Sequence, residues 1–202
     1  MAKSISIDTE KIEKLTKELK GFEKEVGVAT YHALNRVLNQ TRTQVGRIVP
    51  KVYAIKAREV KASFDGGMKK PSYNKLEASL TSKGKLLSLA HFPHSPTQPR
   101  KTKYKVKATV KRAEGRKQIR TNPKPFVAST GAKSDDKTKY NIFKREGSKR
   151  TPITVLRTLS IPQMISNETV ENEIQEFAIS KLNERLQHEI ERSMTSIGGR
   201  IR

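Results

Sequence analysis

The feature that most constrains the fold is an apolar stripe with the period of an α-helix near the N-terminus. Its members recur every three or four residues, the spacing of one helical face, until Pro50 makes further helix unfavourable. We predict one long helix, or two helices divided at Gly21 and Gly27, over residues 8–49 with Asp8 as N-cap. At 1.5 Å per residue it would extend up to about 60 Å. The stripe consists of Ile12, Leu15, Leu19, Phe22, Val26, Ala29, Ala33, Val37, Thr41, Val45 and Ile48.

A second stripe predicts a C-terminal helix over residues 167–194, with Asn167 as its N-cap. Residues 55–62 have helical spacing and predict a short helix before the break at Asp65-Gly66-Gly67. The tail from Ser196 to Arg202 is expected to fray. The C-terminal stripe consists of Val170, Ile174, Ala178, Leu182, Leu186 and Ile190.

Between the helices, residues 73–156 change to the two-residue alternation of β-strands. Leu76 to Phe92 is predicted to be a β-hairpin, Tyr104 to Val110 is the clearest strand, and Gly131 to Lys139 is predicted to be a mobile loop. The fold class is therefore α+β, a single domain over residues 1–202, with a long N-terminal helix or helix pair, a central antiparallel β-sheet and a C-terminal helix. The remaining strands are predicted near residues 126–128, 141–144 and 153–156.

The charge balance favours a polyanionic or acidic partner. The chain has 42 Lys and Arg against 20 Asp and Glu, a formal net charge of +22, and a hydrophobic fraction of only 34%. Such an excess repels itself in a compact monomer, and the small apolar fraction suggests a core shared with neighbouring subunits. The absence of cysteine excludes disulfides and thiol chemistry and favours synthesis inside a cell.

The densest positive charge lies between Arg100 and Arg120, where Glu114 is the single acid. Alternate lysines on a strand share one face about 6.6 Å apart. They could contact DNA phosphates or an acidic protein face, or they could only guard an edge strand against aggregation. Tyr104 falls on the face predicted to be buried, so base stacking is not favoured. The predicted contact residues are Lys103, Lys105, Lys107, Lys111, Arg112, Arg116 and Lys117.

No residue pattern predicts catalysis, a metal or a cofactor. His91 and His94 lie close together but need further ligands, and Asp135-Asp136 stand in a polar stretch where solvated carboxylates are common. The chain has no phosphate-binding Gly-Lys-Ser/Thr loop, no nucleophile elbow and no Cys/His pair. A nuclease assembled from distant carboxylates such as Asp65, Glu77 and Glu114 has no support in their spacing. We therefore predict a protein that is not an enzyme.

The segment Phe143 to Ile165 resembles the C-terminal signature of the prophage minor tail protein Z family, the tail-completion proteins of long-tailed phages. An aromatic residue, a basic residue and a glycine precede Arg-x-Pro-Ile and Ser-Ile-Pro-Gln-Met. Where the family has a Tyr-Gly-Pro turn, this chain has Arg157-Thr158-Leu159, so the conformation of that loop is open. The matching residues are Phe143, Arg145, Gly147, Arg150, Pro152, Ile153, Ser160, Ile161, Pro162, Gln163 and Met164.

The resemblance implies an α+β virion subunit, made in the host cytoplasm and assembled as a ring, expected to be a hexamer. It implies a place at the head-proximal end of the tail, contacts with other tail and neck proteins, and DNA passing through the lumen. From the residues alone, Gly147 is expected to form a turn, and Pro152 and Pro162 to mark an extended segment before the last helix. The alternative is a sequence-independent nucleic-acid-binding protein of ribosomal or nucleoid type, which the charge alone favours. The long N-terminal helix suits ring packing better.

Overall fold

Two long helices pack against each other and contribute nearly half of the buried apolar residues of the described chain. The computed structural model describes residues 2–6, 23–134 and 137–198. Lys51 in the last turn of the first long helix donates a hydrogen bond of 2.6 Å to Glu173 near the start of the second. The α-helices in the described ranges are α1 Glu23–Val52, α2 Ala57–Ala62, α3 Ile161–Ile165 and α4 Glu168–Gly198.

In the part of the chain that the structure describes, nine strands form three small antiparallel sheets of three strands each. The orders are β1-β3-β2, β4-β5-β6 and β7-β8-β9. The bounds are β1 Ala2–Ser6, β2 Met68–Lys69, β3 Ser79–Lys83, β4 His94–Ser95, β5 Lys107–Ala108, β6 Lys117–Gln118, β7 Phe126–Ser134, β8 Lys137–Arg145 and β9 Ile153–Val155. The predicted α+β class is confirmed.

The predicted N-terminal helix is confirmed from Glu23 onward, with a different end. The helix passes through Gly27 without a break and ends at Val52, because the Tyr53 amide still donates to the Val49 carbonyl at 2.9 Å. The predicted end at residue 49 is therefore three residues early, since a proline so close to the end of a helix interrupts little of it. The expected N-cap Asp8, the break at Gly21 and the stripe from Ile12 to Phe22 lie outside the described residues.

The other predicted helices are confirmed, and one additional short helix is present. The α2 helix falls within the predicted range 55–62, and α4 covers the predicted C-terminal helix. Helix α4 continues to Gly198, so the backbone from Ser196 to Gly198 is helical where fraying was expected. Residues 199–202 lie outside the described residues. Helix α3 occupies the Ser-Ile-Pro-Gln-Met segment, for which an extended conformation was predicted.

We call helices α1–α4 with strands β1–β3 the helical body. One continuous core joins α1 to α4, and Leu80 of strand β3 belongs to the same core. Within the chain itself, the α4 stripe is buried from Val170 to Leu186, and Ile190 at its end is partly buried. The most enclosed members include Val37, Ile48, Leu80, Met164 and Ile174, each at most 1% exposed.

The predicted hairpin from Leu76 to Phe92 is wrong. Strand β3 occupies its first arm but pairs with β1 on one edge and β2 on the other, so no edge is left for a second arm. The second arm turns instead toward the segment before α3. Leu87 donates to the Leu159 carbonyl at 3.3 Å and accepts from the Thr158 amide at 2.8 Å. A short 3-10 helix, Leu89–His91, follows.

We call strands β4–β9, residues 94–155, the sheet module. Its two sheets enclose a second and smaller core of Leu89, Val106, Ala108, Val127 and Ile142. The strands predicted near 126–128, 141–144 and 153–156 are confirmed as β7, β8 and β9. The mobile loop predicted from Gly131 to Lys139 is wrong for the described residues. Strands β7 and β8 continue to Ser134 and from Lys137, with a register shift between Ser129 and Lys133.

Candidate polyanion-binding surface

The strand predicted from Tyr104 to Val110 is paired over a shorter length but keeps its two faces. Its ladder is limited to Lys107 and Ala108 because the flanking strands β4 and β6 have two residues each. Val106 and Ala108 are buried, whereas Lys105 and Lys107 are exposed. The alternation predicted by the sequence therefore holds, and the lysines face solvent on the outer side of the β4-β5-β6 sheet.

Tyr104 closes an open sheet edge and is not a platform for bases. Strand β7 lies at the edge of its sheet, next to β8 only. The Val127 amide of β7 donates a hydrogen bond of 2.9 Å to the Tyr104 hydroxyl, and the Tyr104 ring packs against the second core. An unpaired edge amide is a site for unwanted strand pairing, and this contact removes it. The position agrees with the expectation that base stacking is absent here.

The outer face of the β4-β5-β6 sheet borders a cleft with a volume of about 820 Å³. Its lining includes the uncharged residues Ser95, Gln118 and Thr121, and no Asp or Glu from the described residues. Six cationic side chains line it, and all six are exposed. We call this the cationic cleft. Its charged residues are Arg100, Lys103, Lys105, Lys107, Arg120 and Lys124.

The structure divides the seven predicted contact residues into two groups. Lys103, Lys105 and Lys107 line the cationic cleft, and Lys111, Arg112, Arg116 and Lys117 do not. The prediction was made from proximity along the chain, whereas the division follows from the fold. Lys111, Arg112 and Arg116 lie in the connection between β5 and β6, and Lys117 is the first residue of β6, of which only Gln118 lines the cleft. Whether either group binds a partner remains a prediction.

Three of the residues outside the cleft have partners within the chain. Glu114 Oε2 lies 2.8 Å from Lys117 Nζ, and Glu114 Oε1 lies 3.6 Å from Lys111 Nζ. The hydrogen bond from Lys117, followed by its positive charge, lowers the pKa of the Glu114 carboxyl below its ordinary value. Arg112 Nε donates a hydrogen bond of 2.6 Å to the Pro50 carbonyl, which joins the sheet module to the end of α1. Arg116 is exposed.

Sequence reasoning missed three members of the cleft. Arg100 and Arg120 stand at the two ends of the basic stretch and were counted in its charge, but neither was among the predicted contact residues. Lys124 lies beyond the stretch. The chain order gives no sign that 120–124 faces 103–107, because that proximity depends on the pairing of β5 with β6. The Ile119 amide donates to the Val106 carbonyl at 2.8 Å and extends the same alignment.

The histidines and carboxylates considered for catalysis occupy ordinary structural contacts where they are described. His91 Nδ1 lies 2.6 Å from Glu59 Oε2, and His94 Nδ1 lies 2.8 Å from the Phe92 carbonyl oxygen. Among the described residues, no three His, Asp or Glu side chains are grouped so as to hold a metal ion. Asp135 and Asp136 lie outside the described residues. No helix in the described ranges has the length and apolar character needed to cross a membrane.

The first part of the family-like motif stabilises the sheet module. Phe143 is buried in β8 opposite Phe126, and the Arg145 guanidinium lies 5.5 Å from the centre of the Phe126 ring. This distance allows a cation–π contact. The Glu146 amide donates to the Pro152 carbonyl at 3.1 Å and closes the turn that contains Gly147 and Arg150. Ile153 begins β9 opposite Arg145.

The second part of the motif begins helix α3. Ser160 is its N-cap and Gln163 completes a capping box, with the Ser160 amide donating to Gln163 Oε1 at 2.9 Å. Pro162 is tolerated in the first turn, where a proline removes no intrahelical hydrogen bond. Ile161 and Met164 are buried in the core of the helical body. The extended conformation expected around Pro162 is wrong because the local capping residues favour a helix.

The comparison with family models agrees with this arrangement. The model described as prophage minor tail protein Z matches residues 10–198. It covers the long helices, the sheet module with its cationic cleft, and the capped helix α3. A search of curated proteins and a search of solved structures gave no match. Because one family model spans nearly the whole chain, this protein belongs to the prophage minor tail protein Z family, whose members are structural proteins of phage tails.

Proposed function

We propose that this protein is a tail-completion subunit that forms a ring, expected to be a hexamer, at the head-proximal end of a phage tail. There it joins the tail to the neck proteins and surrounds the path of the DNA. The observation that carries the proposal is the family match over residues 10–198, since it places the protein in the tail of the virion. We further propose that the protein has no catalytic role.

The distribution of charge supports a position around DNA. Residues 94–155 contain 18 Lys and Arg against 4 Asp and Glu, a net charge of +14 out of the total of +22. A ring of such subunits would repel itself unless a polyanion lay within it. Phage DNA carries roughly one negative charge per 1.7 Å of duplex and could supply that compensation.

Among the described residues, four large apolar side chains are exposed, and they belong to four different segments of the chain: Tyr73, Leu86, Ile153 and Ile179. An interface through any one of them would be small and partly polar. We therefore expect ring assembly to depend on the tail tube as a template. The family assignment argues against the alternative of a free ribosomal or nucleoid protein.

Imaging tails that carry a labelled copy of this protein tests the proposal. The protein should appear in several copies per particle, confined to the end of the tail that meets the head. Mass measurement should be made on the free protein and on assembled tails, because assembly on a template would leave a monomer in solution. A single copy per tail, or a label at the distal tip, would contradict the proposal.

A further inference from the structure

We infer that the cationic cleft is a binding site for the phosphate backbone of DNA. The inference rests on the proposed function and deepens it, because it assigns the DNA-facing surface to one side of the sheet module. The site is made by Arg100, Lys103, Lys105, Lys107, Arg120 and Lys124.

The cleft gathers six cations around one cavity, with no acidic residue among the described residues that line it. Among the described residues, none of the six lies within an ion pair, whereas Lys3, Lys51, Lys111, Lys117 and Lys181 each pair with a carboxylate. Six like charges around one cleft raise the local positive potential, which attracts an anion and is relieved when one binds. All six side chains are exposed and can reach a ligand.

The spacing of the lysines suits a partner with dense and regular negative charge. Lys103, Lys105 and Lys107 are exposed and alternate with the half-buried Tyr104 and the buried Val106. A fully extended segment with this alternation would span about 13 Å from Lys103 to Lys107. A duplex carries about 8 phosphate charges over that length, which exceeds the six cations of the cleft. One segment of DNA could therefore engage the whole site.

An acidic protein face fits the lining less well. The surfaces that proteins use to bind one another are depleted in lysine and are centred on buried aromatic or apolar anchors. Four of the six cleft cations are lysines. None of the apolar or aromatic residues in the described lining is exposed, since Pro96 and Val106 are buried and Tyr104, Ile119 and Pro125 are half-buried. The cleft therefore resembles a phosphate-contacting surface more than the centre of a protein interface.

A second copy of this chain is also a poor occupant. The largest group of carboxylates among the described residues lies on α4, which has 7 Glu against 3 Lys and Arg. Four of these glutamates already form ion pairs, with Lys3, Lys51, Lys181 and Arg192. Docking α4 into the cleft of a neighbour would leave most of the cleft charge uncompensated.

Binding should not depend on the DNA sequence. Reading of base edges needs donors and acceptors held in a fixed geometry, and the cleft offers mainly flexible cationic side chains. The Tyr104 ring is half-buried against the second core and its hydroxyl accepts from the Val127 amide, so the ring is held in place and is less suited to stacking on bases. The site would hold DNA of any sequence as it passes.

The test compares the full-length protein with the variant K103Q/K105Q/K107Q. Fluorescence anisotropy of a labelled duplex of about 30 base pairs is measured from about 50 to 200 mM salt, with two unrelated sequences. The affinity of the wild type should fall steeply with salt and be equal for both sequences. Because each phosphate contact contributes about 0.9 to the logarithmic salt slope, the variant should lose up to about 2.7 from that slope. At 0.1 M salt this corresponds to a loss of up to about 500-fold in affinity.

Two control variants keep this result specific. K69Q/K70Q/K85Q removes the same net charge from three exposed lysines of the helical body. K111Q/K117Q removes the lysines that pair with Glu114. Both should retain most of the wild-type salt slope. The cleft variant and K69Q/K70Q/K85Q should show the wild-type thermal unfolding temperature, because their substituted side chains are exposed, whereas K111Q/K117Q should unfold at a slightly lower temperature because it removes the partners of Glu114.

Three outcomes would overturn the inference. Equal losses in the cleft variant and in K69Q/K70Q/K85Q would show that total charge binds DNA and that the cleft does not. An unchanged salt slope together with failure of the cleft variant to join tails would assign the cleft to an acidic protein partner. If the cleft variant kept the salt slope of DNA binding and also joined tails normally, the only role left for the cleft lysines would be to protect an edge strand from aggregation. Imaging of labelled tails tests the proposed ring independently of these DNA-binding measurements. A negative result for the cleft therefore does not contradict the ring.

Discussion

The helical body and the sheet module differ in how much apolar surface each one buries. The core cluster that runs through the helical body contains 22 buried residues, whereas the cluster within the sheet module contains five. Burial of apolar surface is the main favourable contribution to folding. The helical body should therefore set the stability of the chain, and the sheet module should depend on its attachment to the body.

The charges of the two regions differ in the opposite direction. Residues 94–155 have 18 Lys and Arg and 4 Asp and Glu, which leaves 24 and 16 for the rest of the chain. Most of the ion pairs among the described residues lie outside the sheet module, such as Lys51 with Glu173 and Arg42 with Asp65. Net charge that is not compensated internally is thus concentrated where the apolar core is smallest. This pattern is expected if one region maintains the fold and the other contacts a charged partner.

The largest expected effect separates a buried from an exposed isoleucine of α4. Ile174 is 1% exposed, and Ile179 on the same helix is 48% exposed. I174A should lower the free energy of unfolding by about 2–5 kcal/mol, because it removes buried methyl groups and leaves a cavity. I179A should change it by less than about 0.5 kcal/mol. Denaturant unfolding followed by circular dichroism measures both.

Equal losses of stability in I174A and I179A would contradict the expected difference between a buried and an exposed isoleucine of α4. A large loss in I179A would mean that its side chain is covered in solution, which would indicate self-association through α4. Repeating the measurement at several protein concentrations distinguishes the cases, because a stability that comes from association depends on concentration.

A smaller effect is expected from the core of the sheet module. Val106 is 1% exposed and belongs to the five-residue cluster, so V106A should cost about 1.6 kcal/mol for the two methyl groups removed. Hydrogen exchange should become faster in β7, β8 and β9 while α1 and α4 keep their protection. Equal loss of protection in both regions would show that the two cores unfold as one unit, and the comparison between them would then be wrong.

The helices could be predicted from the sequence because their pattern is local. The stripe from Val26 to Ile48 and the stripe from Val170 to Ile190 each report one face of one element, and no distant partner is needed to recognise it. The capping box of α3 was missed although it is also local. Ser160 and Gln163 have the required spacing, but Pro162 between them suggested an extended chain.

The strand pairing could not be predicted because it is not local. Strand β3 was located, but its neighbours β1 and β2 come from positions before and after α1. Alternation along a strand defines its two faces and leaves its partners open. The same limit applies to the cleft. Lys103, Lys105 and Lys107 follow from alternation, whereas Arg120 and Lys124 join them only after the strands pair.

The smallest expected effect concerns Glu114, the carboxylate that compensates Lys111 and Lys117. Its pKa is lowered from the ordinary value of 4.5, first by the hydrogen bond from Lys117 and then by the charge of that lysine. A lowered pKa means that the charged carboxylate stabilises the folded state above about pH 4.5, and that this stabilisation is lost as the pH falls through the lower folded-state value. E114Q should therefore unfold at a slightly lower temperature than the wild type at pH 7, and the difference should shrink as the pH falls below about 4.5. The carboxylate is exposed and screened by solvent, so the shift should be far smaller than that caused by V106A. Thermal unfolding at pH 7 and at a series of lower pH values measures it. If E114Q were as damaging as V106A, compensated charge would contribute as much to the fold of the sheet module as its apolar core does, and the cleft lysines could no longer be treated as free for binding.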